Sequence, residues 1–80
     1  MPTVHERIAA TDRRIERMKL RVQRQLVHVE NLERDNYVYG TKRARVLLNR
    51  MLAELSALQS YRLSLYQEAA LADVPTKKAS

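Results

Sequence analysis

Six basic residues lie within twelve positions near the start of this 80-residue chain, and their side chains are suited to binding phosphate. They are Arg13, Arg14, Arg17, Lys19, Arg21 and Arg24. Arginine binds phosphate oxygens through charge-assisted hydrogen bonds, and the resulting affinity for nucleic acid falls steeply as salt rises. The candidate contacts to nucleic acid or another anion are Arg13, Arg17, Arg21 and Arg24. One hypothesis is therefore a nucleic-acid-associated protein that uses an arginine-rich first helix.

A solvated helix surface is the competing interpretation of these basic residues, and the sequence favours it. Asp12 and Glu16 interleave with the arginines, and the six basic side chains point in several directions around a helix. A helix that binds nucleic acid concentrates such side chains on one face. We therefore keep the nucleic-acid function as the alternative to a protein that acts by self-association.

Catalytic and metal-binding sites find no support in the sequence. The chain has no Cys, and its two histidines, His5 and His28, are too far apart for the spacing of metal ligands. Neither a nucleophilic Ser/His/Asp set, nor a Gly-rich phosphate loop, nor paired carboxylates in a pocket can be argued from the residues. We expect no enzyme activity, no cofactor and no metal, with both histidines on the surface.

The positions of glycine and proline indicate one turn between two long helices. The only glycine, Gly40, lies at the middle of the chain, while Pro2 and Pro75 lie near its two ends. Thr3 and Glu6 fit a capping box at the start of the first helix. We predict an all-α single domain with helix 1 over about 4–35, a turn over 36–41, helix 2 over about 42–72 and a disordered tail over 74–80.

The turn contains residues with distinct expected roles. Asn36 is suited to the left-handed conformation that ends a helix, and Gly40 is expected to be a second flexible point. Thr41 is expected to cap the second helix. Tyr37 and Tyr39 lie at the tip, where they either form a docking point or cover the open end of the hairpin.

An apolar repeat of seven residues predicts that the two helices pack along a coiled-coil-like seam. The short connection makes the helices antiparallel neighbours. The predicted seam residues are Ile8, Ile15, Met18, Val22, Val29, Leu32, Leu48, Met51, Leu55, Leu58 and Leu65. Arg62 is the only charged residue in the column of helix 2, and we expect it to pair with Asp12 or Glu16. Gln25 is expected near Met51, where it either fixes the register or lies half-exposed.

Large apolar residues remain unused once the seam is assigned, and they predict a second contact face. The candidate oligomer interface consists of Leu20, Val27, Leu52, Leu63 and Tyr66. A chain this short, without disulfides, gains stability most simply from oligomerisation. We expect a homodimer that forms a four-helix bundle and presents a surface to an unidentified protein partner. The alternative is a marginally stable monomer with an apolar surface.

The net charge limits the kinds of partner that we expect, and the lack of a long apolar run indicates where in the cell the protein acts. The formal net charge of +6 permits nucleic acid or acidic partners without identifying them. No apolar run approaches the roughly 20 residues of a membrane span, and the first residues lack a secretory signal pattern. A cytoplasmic protein without membrane partners is the expectation.

A succession of short segments resembles a known group of proteins. Val22-Gln23-Arg24-Gln25 is followed by Val29, by Leu32-Glu33-Arg34-Asp35-Asn36 and by Thr41-Lys42-Arg43-Ala44-Arg45-Val46-Leu47-Leu48. This succession resembles small helical-hairpin proteins of soil alphaproteobacteria such as rhizobia, a group of unknown function with Ile-x-Arg-Gln, Leu-Glu-x-Asp-Gly and Thr-x-x-Ala-Arg-x-Leu-Leu segments. The resemblance spans roughly 22–65, and this chain departs from it with Asn36 in place of Gly and with a longer turn. It implies a short, cytoplasmic bacterial helical protein and no particular activity.

Overall fold

Two long α-helices pack side by side in opposite directions. The computed structural model describes residues 1–73, in which α1 spans Val4–Arg34 and α2 spans Val38–Asp73. The predicted antiparallel helical hairpin is confirmed. The tail predicted over 74–80 lies outside the described residues.

Ion pairs at both ends of the hairpin show the antiparallel alignment. Near the open end, Arg7 Nη1 lies 3.1 Å from Glu68 Oε2. Near the turn, Arg45 of α2 pairs with Glu33 of α1. These residues are mostly exposed, so each pair contributes little stability, and the alignment depends mainly on the apolar seam.

A capping box starts α1, as the sequence predicts. Thr3 Oγ1 accepts a hydrogen bond of 3.1 Å from the Glu6 backbone N–H. Glu6 Oε1 in turn accepts one of 2.7 Å from the Thr3 backbone N–H. The first N–H groups of a helix have no partner within the helix, so these two bonds satisfy donors that would otherwise depend on water.

A Schellman motif closes α1 and reverses the chain. Asn36 adopts the predicted left-handed conformation with φ of 59°. The Tyr37 N–H donates to the Leu32 carbonyl at 3.0 Å, and the Asn36 N–H donates to the Glu33 carbonyl at 3.1 Å. These two bonds satisfy carbonyls at the end of the helix. The reversal is complete within three residues, from Asp35 to Tyr37.

The second helix begins earlier than the sequence suggests. α2 starts at Val38, whereas the prediction placed a turn over 36–41. Thr41 is not a cap, because its N–H donates to the Tyr37 carbonyl at 2.8 Å as part of the first helical turn. Gly40 is helical and does not take positive φ. The Schellman motif alone reverses the chain, so no second flexible point is needed.

The seam between the helices is the only core that the described residues form. Buried apolar residues are Ile15, Met18, Val29, Ala44, Met51, Leu65 and Ala69. The other predicted seam residues, Ile8, Val22, Leu32, Leu48, Leu55 and Leu58, are half-buried. Thr11 is buried as well, and its hydroxyl donates to the Arg7 carbonyl at 2.8 Å. Ile15 and Leu65 are the only large side chains there that are fully buried.

The dimensions of the molecule explain why so few residues are buried. Its principal extents are 69 × 18 × 15 Å. An α-helix with its side chains is about 10–12 Å across, so the molecule is two helices wide and one helix thick. Each helix therefore has a single neighbour, and both flanks of the seam are open to solvent.

Candidate interaction surfaces

Two polar residues in or beside the seam make specific contacts. Arg62 Nη1 lies 3.1 Å from Asp12 Oδ1, one of the two pairings that the sequence predicts. Gln25 is half-buried, and its Nε2 donates to the Ala44 carbonyl at 2.9 Å. That bond satisfies the Gln25 amide at the edge of the apolar seam.

One flank of the seam carries a group of arginines, which we name the basic flank. Its members are Arg14, Arg17, Arg21 and Arg24 of α1 with Arg43 and Arg50 of α2. The first three line one shallow groove with Glu54 and Leu58. Arg24 follows Arg17 by seven residues, or two turns, and therefore lies on the same side of α1. Arg43 shares a groove with His28 on this flank, and Arg50 shares a groove with Arg43.

Around the axis of α1, the arginines of the basic flank lie closer to one another than we expected from the sequence. At about 100° per residue, Arg14, Arg17, Arg21 and Arg24 fall within a narrow arc of α1. Of the predicted anion contacts, Arg13 lies at the edge of that arc, one helical turn before Arg17, on the side of α1 that faces away from α2. Lys19 lies elsewhere and pairs with Glu16 at 3.4 Å.

The carboxylates that appear to interleave with these arginines in the sequence lie on the opposite flank. Asp12 pairs with Arg62 in the seam, Glu16 with Lys19, and Glu33 with Arg45. By contrast, within residues 1–72 the four α1 arginines of the basic flank form neither an ion pair nor a side-chain hydrogen bond. Acidic and basic side chains are thus segregated across α1, which is a consequence of its heptad spacing.

The basic flank ends at a small polar cluster near the open end of the hairpin. Arg7 Nη2 donates to the Tyr61 hydroxyl at 3.2 Å, and its Nη1 pairs with Glu68. The hydrogen bond with Tyr61 and the charge of Glu68 raise the pKa of Arg7 above its ordinary value. This cluster was not predicted, although antiparallel helices bring position 7 near position 68. These bonds occupy the guanidinium of Arg7, and no member of the basic flank takes part in them.

The opposite flank carries exposed apolar residues, which we name the apolar flank. Its members are Leu26 of α1 and Leu52, Leu63 and Tyr66 of α2. Leu26 is 45% exposed and Leu52 is 44% exposed. The antiparallel alignment places these two leucines across from each other, between the Arg45–Glu33 pair and the Lys19–Glu16 pair.

The five residues predicted as an oligomer interface do not share one surface. Leu52, Leu63 and Tyr66 lie on the apolar flank. Leu20 and Val27 are 54% exposed and fall on the side of α1 that points away from α2. Leu26 was absent from the predicted interface, although its position beside the seam column places it on the apolar flank.

The hairpin tip carries two exposed aromatic residues. Tyr39 is 84% exposed and Tyr37 is 62% exposed, so both rings are largely open to solvent. In the part of the chain that the structure describes, no cluster of His, Cys, Asp or Glu is placed to hold a metal. No helix there has the length and apolar character to cross a membrane. No known protein family matches this chain, and no curated protein or solved structure is detectably similar to it.

Proposed function

We propose that this protein is a non-enzymatic interaction protein that works as a homodimer, in which two hairpins pack their apolar flanks together into a four-helix bundle. The observation that carries this proposal is the small core. Among the described residues only Ile15 and Leu65 are large and fully buried, while exposed leucines lie beside the same seam. Single cores in chains of this size rarely stabilise a fold by more than about 3–5 kcal/mol, so a second contact face is expected.

The apolar flank suits a second copy of the same chain. Leu26 and Leu52 form an apolar centre, and ion pairs on either side form a polar rim, which is the usual layout of a protein interface. Both signs of charge occur on this rim, so a twofold axis can place opposite charges near each other. The basic flank carries mostly one sign of charge and would repel its own copy.

Light scattering coupled to size-exclusion chromatography tests the dimer. At tens of micromolar, the wild type is expected to have twice the 9.4 kDa mass of the chain. The double variant Leu26→Glu/Leu52→Glu is expected to elute as a monomer, because each glutamate would have to be buried without a partner.

A matched control separates loss of the interface from a general effect of added charge. The double variant Leu20→Glu/Val27→Glu introduces the same two charges at residues that are at least as exposed but point away from α2. It is expected to remain a dimer. A monomeric wild type, or a control that dissociates as readily as the test variant, would refute the apolar flank as the interface.

A further inference from the structure

We infer that the basic flank is a binding surface for the phosphate backbone of duplex DNA. This inference goes beyond the dimer and does not depend on it, because the basic flank lies on the opposite side of the hairpin from the apolar flank. Three observations support it: the spacing of the arginines, their lack of intramolecular partners and the segregation of the acidic residues.

The spacing of the arginines along α1 is wide enough for each one to reach a different phosphate of a duplex. Arg14 to Arg24 spans about 15 Å at 1.5 Å per residue, with steps of about 4.5–6 Å between successive arginines. Duplex DNA carries one negative charge per about 1.7 Å of axis. Each of the four guanidinium groups therefore has phosphates within reach over that length.

The arginines are free to exchange water for phosphate. Within residues 1–72, Arg14, Arg17, Arg21 and Arg24 form no ion pair, and all four are exposed. Binding therefore breaks no contact within the hairpin. Glu54 is the carboxylate in their groove, and it opposes binding without pairing with any of them. Guanidinium groups also bind phosphate in a fixed, two-pronged geometry that lysine lacks.

The surroundings of the arginines favour a duplex over other polyanions. Single-stranded nucleic acid is usually bound by stacking bases on aromatic side chains, and Tyr61 at the far end is already bonded to Arg7. A membrane-binding helix needs a continuous row of large apolar side chains beside its basic ones. α1 exposes none within this arc, and the α2 side of the basic flank exposes Val46 and Leu47 beside Arg43 and Arg50. The major groove of B-form DNA, about 12 Å wide, admits an α-helix, whereas the deep, narrow major groove of an RNA duplex does not.

Fluorescence anisotropy with a labelled duplex of about 30 base pairs and mixed sequence tests the inference. With four phosphate contacts, the slope of log affinity against log salt is about −3.6 for the wild type, so affinity falls about a hundredfold between about 50 and 200 mM salt. The variant Arg14→Gln/Arg17→Gln/Arg21→Gln/Arg24→Gln is expected to lose most of this slope and at least a hundredfold in affinity at the lower salt.

A second quadruple variant controls for net charge. Lys19→Gln/Arg34→Gln/Arg45→Gln/Lys77→Gln also removes four of the charges that make up the formal +6, three from positions outside the basic flank and one from the segment after residue 73. It is expected to bind within about threefold of the wild type, because Arg14, Arg17, Arg21 and Arg24 all remain in place. Circular dichroism confirms that both variants remain helical before binding is compared.

Four results would overturn the inference. One is a wild type that fails to bind the duplex at about 50 mM salt, where nonspecific phosphate contacts are strongest. A second is equal loss of binding in both quadruple variants, which would show a diffuse charge effect. A third is tighter binding to single-stranded DNA or to an RNA duplex of the same length. The last is equal binding to phosphatidylserine vesicles that depends on the same four arginines.

Discussion

The guanidinium of Arg62 donates a 3.1 Å hydrogen bond from Nη1 to Oδ1 of Asp12 across the hairpin. Arg62 occupies a position that the apolar column of α2 would otherwise fill with an aliphatic residue. Its side chain is 30% exposed and that of Asp12 is 44% exposed, so water screens the pair. The stem of Arg62 contributes to the seam while its charged end reaches the surface, and the pair contributes only modestly to stability.

A double-mutant cycle measures the contribution of this pair. We expect Asp12→Asn, Arg62→Gln and the double variant to give a coupling energy of about 0.3–1 kcal/mol, since partly exposed pairs fall in this range. The measurement is urea unfolding at a fixed protein concentration. A coupling above about 2 kcal/mol would mean that the pair is desolvated in solution.

Truncation of the most buried leucine tests the seam. Leu65→Ala is expected to lower the free energy of unfolding by about 2–5 kcal/mol, because Leu65 is almost completely buried and its loss leaves a cavity. Leu20→Ala is the matched control, and we expect a change of less than about 0.5 kcal/mol at that exposed site. Similar losses for the two variants in thermal or urea unfolding would contradict the antiparallel packing described above.

The left-handed residue in the turn gives a third test. Asn36→Ala is expected to destabilise the protein by about 1 kcal/mol, because alanine tolerates positive φ less well than asparagine. Asn36→Gly is expected to cost nothing or to stabilise, since glycine is the preferred residue at this position of a Schellman motif.

Asn49→Ala provides the control for the turn variant. Asn49 is exposed and lies inside α2, where alanine has the higher helix propensity, so this change is expected to stabilise by a few tenths of a kcal/mol. If Asn36→Ala proved as harmless as Asn49→Ala, the turn in solution would not use a left-handed residue at position 36.

The only glycine is expected to be replaceable. Gly40→Ala should stabilise the protein by about 0.5 kcal/mol, because Gly40 is helical and alanine reduces the freedom of the unfolded chain. The added Cβ would lie 3.5 Å from Leu32 Cδ2, which is an ordinary van der Waals contact. The midpoint of urea unfolding provides the measurement. A loss of stability above about 1 kcal/mol would place Gly40 in a non-helical turn, as the sequence suggests.

Local features of the hairpin could be predicted because they depend on residues close together in the chain. The capping box needs only Thr3 and Glu6, and the end of α1 needs a residue such as Asn36 that tolerates positive φ. The start of α2 was predicted too late, because Gly40 and Thr41 resemble turn residues. A Schellman motif had already reversed the chain, which leaves both residues free to join the helix.

The sequence by itself determined the two helices, their antiparallel packing and the residues of the seam, since apolar side chains repeat at heptad spacing and one short connection joins them. Only the tertiary structure decided how the two flanks differ. In sequence order, Asp12 and Glu16 lie among the arginines. In the packed hairpin these two carboxylates lie away from the basic flank, and Asp12 pairs with Arg62 of α2. The physical reason is that the direction of a helical side chain has meaning only once a neighbouring helix defines which side is the interior.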